Sequence, residues 1–276
     1  MSNPAISIIM VFYNAEKYIE ESVRSILNQS FNDYELLLIN DGSTDMSVKI
    51  VKEFKDDRIN LIHTCHDYIK SLNVGLEKAQ GKYIARMDAD DIMHPDRLFI
   101  QYSLMEKNPK IDICFSWCTI FGNKNGRHFL YNEYSGEINN PLVSMLRKNI
   151  FTHPSMMIKT DFIKNNNLKY QYYNYAEDYK LWVDAAKLGA LFYVEPQSLL
   201  YYRCHKNQVS VTYNEEQERS GIRIKKEIID YLLLQIPKEI KELYECLCAL
   251  ESKKLLKSNY RFNLMYEVLK YNKIML

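Results

Sequence analysis

The sequence predicts an α/β fold built on a mixed, mainly parallel sheet flanked by helices, with a helical extension at its C-terminal end. Two patterns lead to this prediction. Between residues 5 and 87, apolar runs of strand length alternate with segments in which apolar residues recur at helical spacing. From about residue 215 the strand pattern stops, and charged segments with one apolar face follow. The alternation is typical of a Rossmann-like, doubly wound sheet.

Each early element has its own signal. The sequence predicts strands at residues 5–12, 34–39, 58–63 and 83–87, and the near-continuous apolar run at 5–12 predicts a strand that is buried on both faces. A helical period begins at Ile19, for which Asn14 is the expected N-cap. Asp45 is the expected cap of the second helix, and Gly81 is the expected C-terminal stop of the third.

The later elements form a less regular series. Helical patterns cover residues 95–107 and 176–188. Further strands, of a mixed or antiparallel kind, are predicted at residues 111–121, 127–134, 155–158, 191–194 and 199–203. In the extension, Pro237 separates the first two helices. Three apolar faces are expected there, the second of them built from Ile240, Leu243, Leu247 and Leu250.

Composition excludes several classes of protein. The 276 residues carry a net charge of +1, which argues against a nucleic-acid partner held by bulk electrostatics. No apolar run approaches the length of about 20 residues that spans a bilayer. Met1 is followed by Ser-Asn-Pro, unlike a signal peptide, and the six cysteines show no C-x-x-C spacing. A cytoplasmic location with reduced thiols is therefore expected.

The segment Asp88-Ala89-Asp90-Asp91 is the most informative stretch. It follows an apolar run, and clustered carboxylates suit Mg²⁺ or Mn²⁺, which leave positions open for phosphate oxygens. Tyr13 and Asp41 also follow predicted strands, so three polar loops are expected at one edge of the sheet, where such folds bind ligands. The alternative is an acidic loop on the surface.

Several blocks in order resemble one family. They are Ser7–Asn14, Ser25–Gln29, Asn40–Asp45, Ala79–Asp91, Pro95–Leu98, Glu177-Asp178 and Tyr202-Arg203-x-His205. Together they resemble the inverting family 2 glycosyltransferases of the GT-A fold over roughly residues 5–212. The resemblance implies an enzyme that takes a nucleotide-sugar donor, with a UDP-sugar favoured, and a Mg²⁺ or Mn²⁺ ion at the donor diphosphate. Two departures are Phe12 in place of a proline and His66-Asp67-Tyr68 in place of a Gly-rich turn.

The same resemblance implies roles for individual residues at the donor. Val11 and Tyr13 match positions that border the base, and Asp41 matches the carboxylate that reads the base edge. Arg86 matches a position near the diphosphate. Asp90 matches the direct metal ligand. Asp88 matches a position that faces the ribose or the metal. His205 matches a position that in some members closes the metal site. For His205 a hydrogen-bonding role without metal is the alternative.

The general base is assigned to Asp178. An acceptor hydroxyl needs a base as it attacks the anomeric carbon, and the family carries a Glu-Asp pair that Glu177-Asp178 matches. The pair is expected to open a helix, where the helix dipole favours a carboxylate. One displacement with one base inverts the anomeric centre. A helix-capping role for the pair is the alternative.

The resemblance also implies an organisation and partners. Residues 1–214 form the GT-A domain, with a nucleotide-binding half at 1–98 and an acceptor half at 99–214, and 215–276 form the helical extension. The acceptor is expected to be a glycan or lipid-linked glycan in bacterial surface polysaccharide synthesis. The extension has three alternative roles, which are packing, homodimer formation and peripheral contact with the inner face of the plasma membrane. The competing functions are a sugar nucleotidyltransferase and a non-catalytic nucleotide-sugar-binding subunit.

Overall fold

The computed structural model describes residues 3–122, 129–131, 133–206, 208, 212–234, 238–252 and 260–271. The chain divides into two compact units. The first comprises residues 1–138, 152–172 and 190–208, and the second comprises 139–151, 173–189 and 209–276. The second unit contains segments from both sides of residue 214. The division of the chain into domains at that residue stays a prediction.

The first unit contains the central sheet. Its parallel strands are β1 (Ile6–Phe12), β2 (Tyr34–Asn40), β3 (Ile59–His63) and β4 (Tyr83–Arg86), in the order β3-β2-β1-β4. Every residue of β1 is buried, and its neighbours on both sides are parallel. This is the burial that a continuous apolar run predicts for β1. All four early strands are present as predicted, although β3 is only partly buried.

Three helices connect these strands: α1 (Ile19–Leu27), α2 (Ser47–Glu53) and α3 (Tyr68–Lys78). The prediction of Asn14 as an N-cap is wrong. Tyr18 precedes α1, while Asn14 adopts a φ of 48° and its Oδ1 accepts from Thr44 N at 2.8 Å. Asn14 therefore joins the loops after β1 and β2. Asp45 accepts from the N–H of Ser47, the first residue of α2, at 3.0 Å, one position before the N-cap.

The rest of the sheet is mixed. It comprises β5 (Ile92–Met93), β6 (Ile113–Phe121), β7 (Phe129–Tyr131), β8 (Gly136–Glu137), β9 (Met157–Lys159) and β10 (Phe192–Arg203). β9 joins the two halves, since it is antiparallel to both β4 and β6. β6 runs parallel to β10. The helices of this half are α4 (Arg97–Lys107) and α6 (Thr160–Asn165), with a 3₁₀ turn at His153–Ser155.

Two strand predictions need correction. The strands expected at 191–194 and 199–203 are one strand, β10, because register shifts between Glu195 and Leu200 take up the proline at position 196. The strand expected at 155–158 begins at Met157, after the 3₁₀ turn. Of the strand expected at 127–134, residues 129–131 form β7, residues 133 and 134 belong to no strand, and the other positions lie outside the described residues.

The second unit is helical in its described residues. It comprises α5 (Pro141–Met145), α7 (Glu177–Lys187), α8 (Asn214–Leu232), α9 (Lys238–Ser252) and α10 (Tyr260–Tyr271). Of the predicted apolar face of α9, Leu247 is buried and Ile240 is partly buried, whereas Leu243 and Leu250 are exposed, so the prediction holds only in part. Pro237 lies outside the described residues. Within the described helices, none combines the length and apolar character needed to cross a membrane.

Gly81 is required by a close approach between backbones. It lies against β1, and a Cβ there would lie 2.5 Å from Ser7 N and 2.6 Å from Ile6 C. Its N–H donates to Ser7 Oγ at 2.8 Å. The predicted role of Gly81 as the C-terminal stop of α3 is wrong, since α3 ends at Lys78 with Ala79 as its C-cap, and Gly81 is not among the glycines with positive φ.

Gly81→Ala is expected to lower the free energy of unfolding by about 2–3 kcal/mol, because the new methyl group overpacks rigid backbone. Urea denaturation measures the loss. Gly221→Ala is the matched control. A Cβ at Gly221 meets nothing within 4 Å, so this change in a helix interior should stabilise the protein by ~0.5–1 kcal/mol. Equal effects of the two substitutions would contradict the close-packing argument.

Candidate active site

Three carboxylates lie together after β4. Ligand oxygens of Asp88, Asp90 and Asp91 all lie within 4.8 Å of one another. β4 runs parallel to β1 and ends at Arg86, so the cluster stands at the carboxyl edge of the sheet, where open α/β folds bind ligands. Carboxylates this close repel one another unless positive charge or hydrogen-bond donors compensate.

The backbone of this loop is held from two sides. Ser22 Oγ, on α1, donates to the carbonyl of Ala89 at 2.9 Å and to that of Asp91 at 2.6 Å. Arg203, at the end of β10, donates from Nε to Asp90 O at 2.6 Å. The Arg203 guanidinium also lies over the ring of Tyr18, with 4.9 Å from Cζ to the ring centroid. The end of a strand 113 residues from Asp90 in sequence therefore helps to fix the cluster.

Asp91 is the most buried of the three carboxylates, with a relative exposure of 1%. Its Oδ1 accepts from Arg203 N at 2.8 Å, while its Oδ2 is buried without a hydrogen-bond partner. Burial, followed by the charges of Asp88 and Asp90, raises the pKa of Asp91 well above its usual value. An unpartnered buried carboxylate oxygen beside two further carboxylates fits a hard divalent cation. Sequence reasoning placed Asp91 in the cluster and expected it to support the loop rather than to bind the metal.

Arg86 supplies positive charge to the same cluster. Its side chain is buried, and Nη2 lies 2.7 Å from Asp88 Oδ1 and 3.0 Å from the Tyr68 hydroxyl. Desolvation opposes the charge on Arg86, yet Asp88 and Tyr68 hold its pKa above the usual value. For Asp88, desolvation raises the pKa above its usual value, and the nearby charge of Arg86 offsets only part of that rise. The predicted contact of Arg86 with a diphosphate remains a prediction; in the structure it pairs with Asp88.

His205 lies beside Asp90. Its Nε2 is 2.9 Å from Asp90 Oδ2, and its ring stacks on Tyr18 with centroids 5.1 Å apart. The structure thus brings together the residues that sequence reasoning named for the metal, which are Asp88, Asp90 and His205. The nitrogen of a neutral imidazole and carboxylate oxygens are both suitable ligands for Mn²⁺.

A second group lies at the ends of β1 and β2. Val11 is buried in β1 beside Ile39 of β2. Tyr13 follows β1 and keeps 46% of its surface exposed. Asp41 follows β2 and is buried, and its Oδ1 accepts from Ser71 Oγ at 2.7 Å. Tyr13 and Asp41 therefore offer an exposed aromatic ring and a fixed carboxylate at one edge of the sheet.

The segment His66-Asp67-Tyr68 is built around Asp41. Asp67 N donates to Asp41 Oδ1 at 2.8 Å, and His66 Nδ1 lies 3.4 Å from Asp41 Oδ2. The His66 ring stacks on Tyr13, with centroids 4.0 Å apart. Sequence reasoning noted that this segment replaces a Gly-rich turn and expected altered donor contacts. The structure shows what the replacement provides: one ring against Tyr13, a backbone donor to Asp41 and a hydroxyl to Arg86.

Asp178 belongs to the second compact unit. Glu177 and Asp178 are the first two residues of α7, as predicted. Asp178 Oδ2 accepts from Asn149 Nδ2 at 2.8 Å, and its Oδ1 accepts from the N–H of Tyr179 at 2.6 Å. Sequence reasoning missed Asn149, which carries no motif. Both carboxylate oxygens of Asp178 are oriented by donors, and the carboxylate lines a cavity of this unit.

The central sheet and its flanking helices define a GT-A fold. A crystal structure of Staphylococcus aureus TarS, residues 1–349, shares this fold with a TM-score of 0.64 at 20% identity. The alignment covers 83% of this chain and 65% of that chain. A complex of TarS 1–349 with UDP-GlcNAc matches with a TM-score of 0.65 at 20% identity, over 89% of this chain and 80% of that chain. At this identity the likeness establishes the fold.

The family follows from sequence comparison. Residues 7–167 match the model of glycosyl transferase family 2. An uncharacterized glycosyltransferase of Haemophilus influenzae is 38% identical over 272 residues, which is 92% of this chain and 84% of the relative. A β-1,3-glucosyltransferase of Escherichia coli, WfgD, is 40% identical over 112 residues, 39% of this chain and 44% of the relative. The chain belongs to glycosyl transferase family 2, and it is a glycosyltransferase enzyme.

Proposed function

We propose that this glycosyltransferase moves a sugar from a UDP-sugar to an acceptor hydroxyl, with inversion at the anomeric carbon. The observation that carries the proposal is the carboxylate cluster after β4, in which Asp91 Oδ2 is buried without a hydrogen-bond partner. Two comparisons support the nucleotide. TarS was crystallised with UDP-GlcNAc, and WfgD is named as acting on UDP-Glc. Tyr13 and Asp41 supply the stacking ring and the carboxylate that a uracil would use.

The residues at the cluster fit a divalent cation. Asp90 and Asp88 would hold it, together with His205 and the unpartnered oxygen of Asp91. When bound, Mg²⁺ or Mn²⁺ acts as a Lewis acid that stabilises the negative charge of the departing diphosphate. Arg203 keeps the loop in place through Asp90 O, which lowers the reorganisation that ion binding requires.

Asp178 serves as the general base in this proposal. It accepts the proton of the acceptor hydroxyl as the oxygen attacks the anomeric carbon. Asn149 Nδ2 and the N–H of Tyr179 orient its two oxygens, and in the first turn of α7 the helix dipole favours negative charge on the carboxylate. A single base supports a single displacement, and that displacement inverts the anomeric configuration.

The acceptor is proposed to be a lipid-linked glycan of bacterial surface polysaccharide synthesis, reached at the cytoplasmic face of the membrane. WfgD is named for transfer to GlcNAc-diphosphoundecaprenol, and a 32% identical Escherichia coli relative, WbnJ, is named for O-antigen biosynthesis. The extension from residue 215 would provide peripheral membrane contact or a homodimer surface. The membrane contact is supported by the lipid-linked acceptor in the name of WfgD, and both roles are supported by the amphipathic sequence.

A thermal-shift panel of UDP-, GDP-, CDP- and dTDP-sugars with Mn²⁺ tests the donor. Ligand that binds only the folded state stabilises it by about 2.7 kcal/mol at 100 times Kd. We expect a UDP-sugar with Mn²⁺ to raise Tm most, and we expect EDTA to remove most of that rise. UDP release with an acceptor glycan then measures transfer.

UMP and UDP-sugar without metal are the matched controls, because each lacks one partner of the proposed site. A rise in Tm that EDTA leaves unchanged would contradict the metal assignment. A larger rise with another nucleotide sugar would contradict UDP while leaving the glycosyltransferase class intact.

A further inference from the structure

A polar cavity lies beside Asp178 in the second compact unit. Its volume is about 340 Å³, which lies within the ~300–1,000 Å³ typical of small-molecule sites. Asp178 and Asn149 contribute to its lining, and they are hydrogen-bonded to each other. The carboxylate proposed as the base therefore faces a space that is large enough for a ligand.

One face of α8 forms another part of the lining. Asn214, Gln217, Gly221 and Lys225 follow one another at steps of three or four residues, so they lie on one side of the helix. All four lie beyond residue 167, where the match to the family model ends. The C-terminal extension thus contributes a wall to this cavity that the matched family region does not include.

The first turns of α8 are tied to the segment that leads into α7. Gln217 Nε2 donates to the carbonyl of Tyr175 at 2.8 Å. The ring of Tyr213 stacks on that of Tyr175, with centroids 4.2 Å apart and planes at 11°. Because Tyr175 stands three residues before Asp178, these contacts fix the position of the α8 wall relative to the carboxylate.

The lining favours an uncharged ligand rich in hydroxyl groups. Apart from Ala176 and Gly221, the lining residues carry polar side chains. Amide groups such as that of Asn214 both donate and accept, as sugar hydroxyls require of a partner. The cations Lys148 and Lys225 are matched by the anions Asp178 and Glu218 within the same lining, so the cavity has no excess charge to attract a phosphate.

Gly221 leaves space at the α8 wall. A Cβ built on it meets nothing within 4 Å, and Gly221 lies inside the helix and is not among the glycines with positive φ. Glycine costs a helix interior about 1 kcal/mol relative to alanine. The absence of a side chain at Gly221 therefore leaves room for a ligand in the cavity.

We propose that this cavity is an acceptor subsite that takes a neutral sugar residue, and that Gly221 sets the size of sugar it accepts. The inference rests on the proposed role of Asp178 as the base. It adds that acceptor choice is made in part by α8, a helix of the C-terminal extension. Larger residues at position 221 would narrow the range of acceptors.

Saturation-transfer NMR on the full chain tests this subsite directly. The probes are the methyl β-glycosides of glucose, galactose and N-acetylglucosamine. Wild type should transfer saturation to at least one of them. Gly221→Ala should weaken the signal, and Gly221→Leu should weaken binding by about tenfold or more. Arg219→Leu, on an exposed position of the same helix, is the matched control and should behave as wild type.

Equal signals in wild type and Gly221→Leu, or no signal from any of the three probes in wild type, would overturn the subsite. Tm and circular dichroism check that each variant folds, and Gly221→Ala keeps the test valid if leucine perturbs the helix. Stabilisation by UDP with Mn²⁺ is measured in the same samples. If UDP with Mn²⁺ does not stabilise the wild type, the donor proposal is refuted. If only the sugar signal of Gly221→Leu is lost, the result supports the subsite and leaves the donor proposal unaffected.

Discussion

Asp90→Ala is expected to reduce sugar transfer by ~10³-fold or more, equivalent to about 4 kcal/mol of lost transition-state stabilisation. Asp90 is the carboxylate that the structure brings next to both His205 and the rest of the cluster. Its removal takes away one ligand of the proposed cation and leaves the His205 ring without its anionic neighbour. The measurement is the rate of UDP release with acceptor present, over a range of Mn²⁺ concentrations.

Asp57→Ala is the matched control for this substitution. Asp57 is an exposed carboxylate after α2, so the same change in charge is made away from the cluster. The control should retain wild-type activity and the wild-type rise in Tm with UDP and Mn²⁺. Near-wild-type transfer by Asp90→Ala in saturating Mg²⁺ or Mn²⁺ would disprove the assignment of Asp90 as a ligand.

The first two strands could be predicted because they are buried on both faces. β1 and β2 are continuous apolar runs, and such runs have few alternatives when helical segments of polar character separate them. The loops were less predictable. Asparagine is a residue type that favours helix N-caps, but the Oδ1 of Asn14 accepts a hydrogen bond from the backbone N–H of Thr44, which is 30 residues away. The local sequence does not indicate whether the side chain caps the helix or binds a distant loop.

The break predicted within β10 had a sound local reason and was nevertheless wrong. Pro196 removes a backbone donor, and a proline normally ends a strand that is paired on both sides. The register shifts between Glu195 and Leu200 accommodate it without ending the strand. This continuity matters for the site, because the far end of β10 carries Arg203, which holds the backbone at Asp90.

The candidate site shows the same limit. The family resemblance identified Asp88, Asp90 and His205 as expected metal ligands. The structure brings these three residues together. The burial of Asp91 could not be foreseen, because it depends on the end of β10 covering it. The Tyr202-Arg203-x-His205 block was a usable signal for Arg203, since one residue of the block was already assigned to the cluster. Asn149 offered no such signal.

Asp178→Asn is the second substitution with a large expected effect. Asparagine keeps the size and can still be oriented at the start of α7, but it cannot accept a proton from the acceptor. General-base catalysis typically contributes 10²–10⁴-fold, so transfer should fall by about that factor. Donor affinity, measured as the rise in Tm with UDP-sugar and Mn²⁺, should stay at the wild-type value.

Asp184→Asn separates this effect from a general loss of charge on α7. Asp184 lies on the same helix and pairs with Lys180 at 2.5 Å, so its substitution changes the helix charge equally without touching the cavity. It should retain transfer. If Asp178→Asn instead weakens donor binding and spares turnover, Asp178 positions the donor and the base must be sought elsewhere. The carboxylate of Asp178 would then act through its bond to Asn149, as a structural support of the cavity wall.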